Sequence, residues 1–343
     1  MARRITFMKA INEGLDMAME KDDRVILLGE DIAGGAKVEH LAEKNEDAWG
    51  GVFGVTKGLM PKYGRERVID TPISEMGYMG ASVGAAATGL RPVPELMFND
   101  FIGFCLDTLL AQGSKMRYMF GGKAKIPMTI RTCHGAGASA AAQHSGSYYG
   151  MLASIPGIKV VVPSNPYDAK GLLIAAIEDD NVVVFSEDKT LYGIKDEVPE
   201  EYYKVEIGKA KIKREGTDLT IVTIGKMLYV ALEVADRLAK DGIGVEVIDL
   251  ITVAPWDQET VINSVKKTGR LIIIDEANPH NNTATDIASV VGDQAFDYLD
   301  GPIKKVCAPN TPVPFATNLE QLYLPNADRV IETAAELIDD LKK

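Results

Sequence analysis

The sequence comprises 343 residues, enough for two or three domains, and carries a formal net charge of −12. Its 46% hydrophobic and 25% charged residues are typical of a globular protein and exclude an extended disordered chain. The negative charge without a basic stripe argues against a nucleic-acid partner. The sequence contains no run of about 20 apolar residues, so it predicts no membrane-spanning helix.

Residues 1–20, MARRITFMKAINEGLDMAME, predict an amphipathic helix rather than a secretion signal, because no uninterrupted apolar core follows the two arginines. We therefore expect a cytoplasmic protein that does not associate with membranes. The cysteines Cys105, Cys133 and Cys307 lie far apart, which argues against both a disulfide framework and a zinc site. We expect them to be reduced and mostly buried.

The first half of the chain alternates short apolar segments with longer helical stretches. The short segments are apolar on both faces, as strands of a parallel sheet covered by helices are. Asn165 as an N-cap and Pro166 at the first helical position predict the start of a helix. The six predicted strands are RVILLG (24–29), RVID (67–70), RPVPELMF (91–98), IPMTIR (126–131), GIKVVVP (157–163) and NVVVF (181–185).

The periodicity is interrupted once, in a segment that gains charged residues, proline and tyrosine and so predicts a connector between domains. The sequence therefore predicts two α/β domains, at 1–187 and 207–343, joined by a linker at 188–206. The apolar segments of the second domain are DLTIVTIG, VEVIDL and RLIIIDE.

Glu75 is a single acid at the beginning of a helix of small residues. The segment TPISEMG (71–77) follows the predicted strand at 67–70 and precedes a stretch rich in glycine and alanine. A glutamate at such a junction is most often a solvated turn residue. The residue pattern alone does not separate that interpretation from a functional one.

Three motifs occur in a characteristic order: TPISEMG (71–77), ELMFNDF (95–101) and AAAQHS (140–145). Their order resembles that in the beta subunits of the thiamine-diphosphate-dependent first components of 2-oxo acid dehydrogenase complexes, and the resemblance covers essentially the whole chain. At His280 and Asn310 the sequence departs from the arginine and histidine usual in acetoin dehydrogenases. Four other segments are nevertheless most similar to acetoin dehydrogenases: WGGVFGVTKGL (49–59), RYMFGGKA (117–124), DEANP (275–279) and TPVPF (311–315).

The resemblance implies a thiamine-diphosphate-binding, pyrimidine-type parallel-sheet domain followed by a transketolase C-terminal-like α/β domain. It assigns Glu75 to a hydrogen bond with the pyrimidine ring of the cofactor. It assigns Phe101 to packing on that ring, although plain core packing is the alternative for this aromatic residue. Glu30 and Asp107 match acids that line a polar passage near the cofactor, and exposure on a helix surface is the alternative for Asp107.

His144 matches the family histidine that lies beside the substrate, where a neutral imidazole can transfer a proton. A structural histidine is the alternative. His134 has no family role that we can attach, and we expect it to be structural. The resemblance also implies a potassium ion held by backbone carbonyl groups near Ala176, Asp179 and Asn181.

The chain lacks the Gly-Asp-Gly motif, followed by an asparagine, with which thiamine-diphosphate enzymes hold magnesium. The resemblance therefore implies no magnesium ligands in this chain and an alpha subunit that holds the metal in an α2β2 heterotetramer. The expected reaction is cleavage of acetoin to acetaldehyde, with the remaining two-carbon unit passed to a lipoyl-bearing acyltransferase. The alternatives are a dehydrogenase subunit for pyruvate or branched-chain 2-oxo acids, a self-sufficient transketolase-like homodimer and a catalytically silent structural subunit.

Overall fold

The computed structural model describes residues 3–34 and 49–338. The chain divides into two compact units, of which unit 1 comprises residues 1–133 and 154–207 and unit 2 comprises residues 134–153 and 208–343. Within the described residues, no helix combines the length and the apolar character needed to cross a membrane. The three cysteines are buried and free, as expected.

Unit 1 is built on a sheet with the strand order β6-β7-β5-β4-β2-β3. Parallel pairing joins β2 to both β3 and β4, β4 to β5, and β6 to β7. A separate antiparallel pair joins β1 to β8. The strands are β1 (Arg3–Thr6), β2 (Val25–Gly29), β3 (Val68–Asp70), β4 (Arg91–Phe98), β5 (Thr129–His134), β6 (Ile158–Val161), β7 (Val182–Asp188) and β8 (Lys195–Val198).

The six strands predicted in the first half are all present, and the predicted α/β class is confirmed. One boundary is wrong, because the segment predicted at 126–131 forms its strand three residues later. The Met128 N–H donates to the Ile126 carbonyl oxygen at 2.9 Å, so the backbone turns before the strand begins at Thr129.

Two helices of unit 1 begin at residues whose side chains cap them. The Thr6 side chain accepts from the Lys9 N–H at the start of the first helix, and the Asn165 side chain accepts from the Asp168 N–H in front of Pro166, as predicted. The helices are α1 (Phe7–Lys21), α2 (Leu59–Tyr63), α3 (Glu75–Ala87), α4 (Ile102–Thr108), α5 (Met116–Met119) and α7 (Pro166–Glu178), with a π-helical turn at Leu109–Gly113 and 3₁₀ turns at Asn99–Phe101 and Lys189–Leu191.

A buried ion network stabilises the centre of the unit 1 sheet. The Arg131 side chain is 3% exposed and pairs with Glu95 at 2.5 Å and Glu187 at 2.7 Å. The Tyr192 hydroxyl donates to the same Glu187 carboxylate at 2.8 Å. Because each charge has a partner, the network avoids the cost of an isolated buried ion, and it joins β4, β5 and β7 at their interior.

Unit 2 has a five-stranded sheet with the order β14-β13-β10-β11-β9, in which the edge strand β9 is antiparallel to its neighbour. Its strands are β9 (Lys211–Arg214), β10 (Leu219–Thr223), β11 (Val245–Asp249), β12 (Thr252–Ala254), β13 (Leu271–Asp275) and β14 (Lys304–Cys307). Its helices are α6 (Tyr149–Ala153), α8 (Met227–Leu238), α9 (Gln258–Thr268), α10 (Thr283–Gln294), α11 (Thr317–Tyr323) and α12 (Ala327–Ala335), with 3₁₀ turns at Ala239–Asp241 and Phe296–Tyr298.

The last helix, α12, buries an apolar face against the unit 2 sheet and α8. Val330 and Ala334 are fully buried, and Leu337 beyond the helix joins the same core cluster. These residues recur at helical spacing in the sequence, and the spacing continues to Leu341, which lies outside the described residues. Burial of Val330, Ala334 and Leu337 attaches α12 to the core of unit 2.

Candidate active site

Two carboxylates lie at the carboxyl edge of the unit 1 sheet, where ligands of open α/β sheets usually bind. Glu30 directly follows β2, and Glu75 opens α3 after the segment that follows β3. Both side chains are half-buried. Burial raises the pKa of the Glu30 carboxyl group, and the negative charge of Glu75 adds to the effect, so the two acids are electrostatic neighbours.

One oxygen of the Glu30 carboxyl group is buried without a hydrogen-bond partner among the described residues. This atom, Oε1, is inaccessible to water. A buried polar atom without a partner is costly unless a ligand or water satisfies it. The pair of acids therefore fits a ligand that offers hydrogen-bond donors, such as a protonated or amino-substituted ring.

An aromatic cluster lies at the carboxyl end of β4. Phe101 lies in the 3₁₀ turn that follows β4, is half-buried, and meets Phe98 edge-to-face with ring centroids 5.7 Å apart. Phe98 in turn meets Phe53 edge-to-face at 6.1 Å. Phe53 belongs to the segment at 49–59, which resembles acetoin dehydrogenases but had no role assigned to it from the sequence. In the structure Phe53 packs against Phe98, which in turn packs against Phe101.

Asp107 lies on the exposed surface of α4. This position agrees with the alternative given for Asp107 in the sequence analysis, exposure on a helix surface. The helix continues into the π-helical turn at Leu109–Gly113, a distortion often found beside functional sites.

The pKa of Glu30 predicts how one substitution changes stability with pH. Because the folded-state pKa is raised, folding is favoured below the ordinary glutamate value of about 4.3 and loses that contribution as the pH rises. We expect Glu30→Gln to raise the melting temperature of the purified chain near pH 7.5 and to leave it unchanged near pH 4. Equal melting-temperature differences at both values would show that Glu30 carries no burial penalty.

His144 lies in unit 2, in the loop of residues 135–148 between β5 and α6. The residue is half-buried, and its backbone N–H donates to the Ala141 carbonyl oxygen at 3.4 Å. Ser139 and Ala141 have positive φ angles of 51° and 61°, a conformation that residues other than glycine rarely adopt. Such backbone geometry is common at functional sites and needs support from the surrounding structure.

His134, at the end of β5, is buried among charged and aromatic partners. Its Nε2 atom lies 3.4 Å from Glu276, whose other carboxylate oxygen lies 2.6 Å from the Lys226 ammonium group. Its ring meets Tyr149 edge-to-face at 5.3 Å. The structural role expected of His134 from the sequence stays a prediction.

The segment expected to hold potassium forms the C-terminal end of α7. The Asp179 N–H donates to the Ala176 carbonyl oxygen at 3.2 Å, and the Asp179 carbonyl accepts from Arg91 at 3.0 Å. The Asp179 carboxylate accepts from both the backbone and the side chain of Asn181, at 2.9 and 2.7 Å. The polar groups of this segment are thus already engaged within the chain.

Family models match both halves of the chain. The transketolase pyrimidine-binding domain matches residues 3–195, and the transketolase C-terminal domain matches residues 208–330. A solved structure described as a split-gene transketolase in an inactive β4 tetramer has a TM-score of 0.76, with 21% identity and 99% of both chains covered. At that identity the likeness establishes the fold alone.

Curated relatives are considerably more similar. The chain is 58% identical to the beta subunit of an acetoin:2,6-dichlorophenolindophenol oxidoreductase of Bacillus subtilis, with 99% of both chains covered. It is 53% identical to the subunit of the same name from Cupriavidus necator, with 97% of both chains covered. It is 43% identical to the beta subunit of the pyruvate dehydrogenase E1 component of Bacillus subtilis, with 98% of this chain and 99% of the relative covered.

Proposed function

Because the chain belongs to the family of thiamine-diphosphate-dependent dehydrogenase beta subunits, we propose that it supplies the pyrimidine-binding half of an active site that cleaves acetoin. The observation that carries the proposal is the Glu30–Glu75 pair at the carboxyl edge of a pyrimidine-binding domain. The greater similarity to acetoin than to pyruvate subunits supports acetoin as the donor. Pyruvate or a branched-chain 2-oxo acid is the alternative donor.

Each acid has a separate task in the proposal. When bound, thiamine diphosphate supplies a thiazolium carbon that attacks a carbonyl group. Glu75 shares a proton with the pyrimidine ring and thereby holds that ring in its reactive tautomer. Glu30, whose pKa is raised by burial and by the charge of Glu75, can exchange a proton beside Glu75. Phe101 provides an apolar surface for the ring.

His144 acts on the substrate in this proposal. Cleaving the bond between the two oxygen-bearing carbons of acetoin requires that the hydroxyl proton be removed as acetaldehyde leaves. A neutral imidazole accepts such a proton and can return it in a later step. His144 is half-buried and lies in a long loop, a position that suits a side chain that must reach a ligand.

Magnesium and the diphosphate are assigned to an alpha subunit. The sequence lacks the Gly-Asp-Gly motif, and magnesium requires oxygen ligands in near-ideal octahedral geometry. The proposed assembly is an α2β2 heterotetramer that passes its two-carbon product to a lipoyl-bearing acyltransferase. The shared site explains why half of the expected cofactor ligands lie outside this sequence.

We expect the isolated chain to bind thiamine diphosphate weakly and to show no turnover, because only the pyrimidine half of the site is present. Titration calorimetry of the chain alone, and then of the chain co-expressed with its alpha subunit, measures the difference. Tight magnesium-dependent binding by the chain alone would contradict the shared site and favour the self-sufficient homodimer.

Potassium remains a separate proposal that no other step requires. An ion near Ala176, Asp179 and Asn181 would bind to backbone carbonyl groups. The carbonyl oxygens of Ala176 and Asp179 each accept a hydrogen bond already, from Asp179 and from Arg91. A carbonyl oxygen has two lone pairs, so an ion would depend on the second lone pair of each.

A further inference from the structure

The loop that carries His144 has an unusual alternating backbone. Every second residue from 135 to 141 has a positive φ angle: 94° at Gly135, 105° at Gly137, 51° at Ser139 and 61° at Ala141. Alternation of this kind turns successive N–H groups toward one side and forms a concave site for an anion, known as a nest. The backbone of this loop thus suits a bound anion.

The anion is the carboxylate of Glu320, from α11 in the same unit. The Gly137 N–H donates to Oε1 at 2.7 Å, and the Ser139 N–H donates to Oε2 at 2.8 Å. Glu320 is 1% exposed, so these charge-assisted hydrogen bonds act away from water. The Ser139 hydroxyl also lies 3.0 Å from the Thr317 hydroxyl, one helical turn before Glu320.

The ends of the loop are fixed independently of Glu320. At the end of the loop, the Ser147 hydroxyl donates to Glu276 at 3.2 Å, and just after it the Tyr149 hydroxyl donates to the Asp275 carboxylate. Near its beginning, the Lys226 ammonium group donates to the Ala136 carbonyl oxygen. Loss of the Glu320 contacts would thus release the middle of the loop while both ends stay attached.

We propose that Glu320 is a positioning residue that sets the place of His144, an inference that rests on the proposed role of His144. The nest fixes the backbone through Ser139, and the turn in which the His144 N–H bonds Ala141 follows directly. The carboxylate binds the N–H groups of Gly137 and Ser139 and thereby supports the unfavourable positive-φ conformation of Ser139, two residues before that of Ala141. Glu320 therefore acts on the substrate only through the histidine.

The test is a double-mutant cycle in the enzyme assembled from the alpha and beta subunits. The variants are Glu320→Gln, His144→Asn and the two combined, assayed for kcat and KM with acetoin and an artificial electron acceptor. An amide presents one acceptor and one donor to two N–H groups, so it loses a contact and the charge. We expect Glu320→Gln to lower kcat at least tenfold with a small change in KM.

The coupling separates positioning from stability. If Glu320 acts through His144, Glu320→Gln should change kcat less than twofold in the His144→Asn background. If the fold losses in kcat of the two single variants multiply in the double variant, the two residues act independently and the inference is overturned. Glu320→Asp, which keeps the charge, should recover part of the activity. The exposed Glu332→Gln on α12 is the charge-matched control and should leave kcat unchanged.

Two further outcomes are informative. If Glu320→Gln does not fold, Thr317→Ala removes a loop contact at an exposed position and should lower kcat twofold to threefold only while His144 is present. No effect in either background would overturn the inference. If His144→Asn alone leaves kcat unchanged, the role of His144 under the proposed function fails, and the positioning inference fails with it. A loss with His144→Asn but none with Glu320→Gln would overturn the positioning inference alone.

Discussion

Replacing Glu75 with glutamine is expected to abolish cofactor activation in the assembled enzyme while leaving the fold intact. Glu75 begins a helix at the carboxyl edge of the sheet beside Glu30, and in our proposal it shares a proton with the pyrimidine ring. A glutamine amide cannot give or take that proton. Losing one positioned acid–base group usually costs about 10² to 10⁴ in rate.

The readout for Glu75→Gln is hydrogen exchange at the thiazolium carbon, measured together with kcat. The matched control is Glu66→Gln, which removes an exposed carboxylate before β3 in the same unit and should change neither quantity. Unchanged hydrogen exchange in Glu75→Gln would make Glu75 the solvated turn residue that its local sequence first indicated. It would also favour a catalytically silent subunit.

Replacing His144 with asparagine is expected to lower kcat/KM for acetoin by about 10² to 10⁴. Asparagine cannot accept the hydroxyl proton. Steady-state kinetics of both assembled proteins with acetoin measure the loss. His280→Asn changes an exposed histidine in the same unit and serves as the control. A variant with the wild-type kcat/KM would remove His144 from the mechanism.

The fold was largely predictable because its strongest signals are local. Strands that are apolar on both faces and a capped helix at Asn165 follow from residue type and spacing. The strand at Thr129–His134 was displaced because its buried residues include Arg131 and Thr132, whereas Ile126 and Met128 just before it are apolar. Apolar character therefore marked the segment in front of the strand as well as part of the strand.

The candidate site was only partly predictable. Glu75 and Phe101 were identified from motifs, and the structure places Glu75 beside Glu30. The support of the His144 loop could not be predicted, because the Glu320 carboxylate binds Ser139 across 181 residues of sequence. No local pattern marks such a contact. The only signal was indirect: a run of small residues with alternating glycines, typical of a strained loop.

The buried network around Arg131 was also invisible in the sequence. Its partners Glu95 and Glu187 come from separate strands, and neither is marked as the partner of an arginine by its local sequence. The exposure of Asp107 was left open because an aspartate among apolar residues is either exposed or buried with a hydrogen-bond partner. Both features depend on tertiary or quaternary neighbours rather than on residue spacing.

The most direct test of the proposed function is to compare donors with the assembled alpha and beta subunits. With an artificial electron acceptor, kcat/KM is measured for acetoin, pyruvate and 2-oxoisovalerate under the same conditions. The proposal predicts that acetoin has the highest value. Turnover of pyruvate at least ten times more efficient than that of acetoin, a transition-state preference of about 1.4 kcal/mol, would contradict acetoin as the substrate.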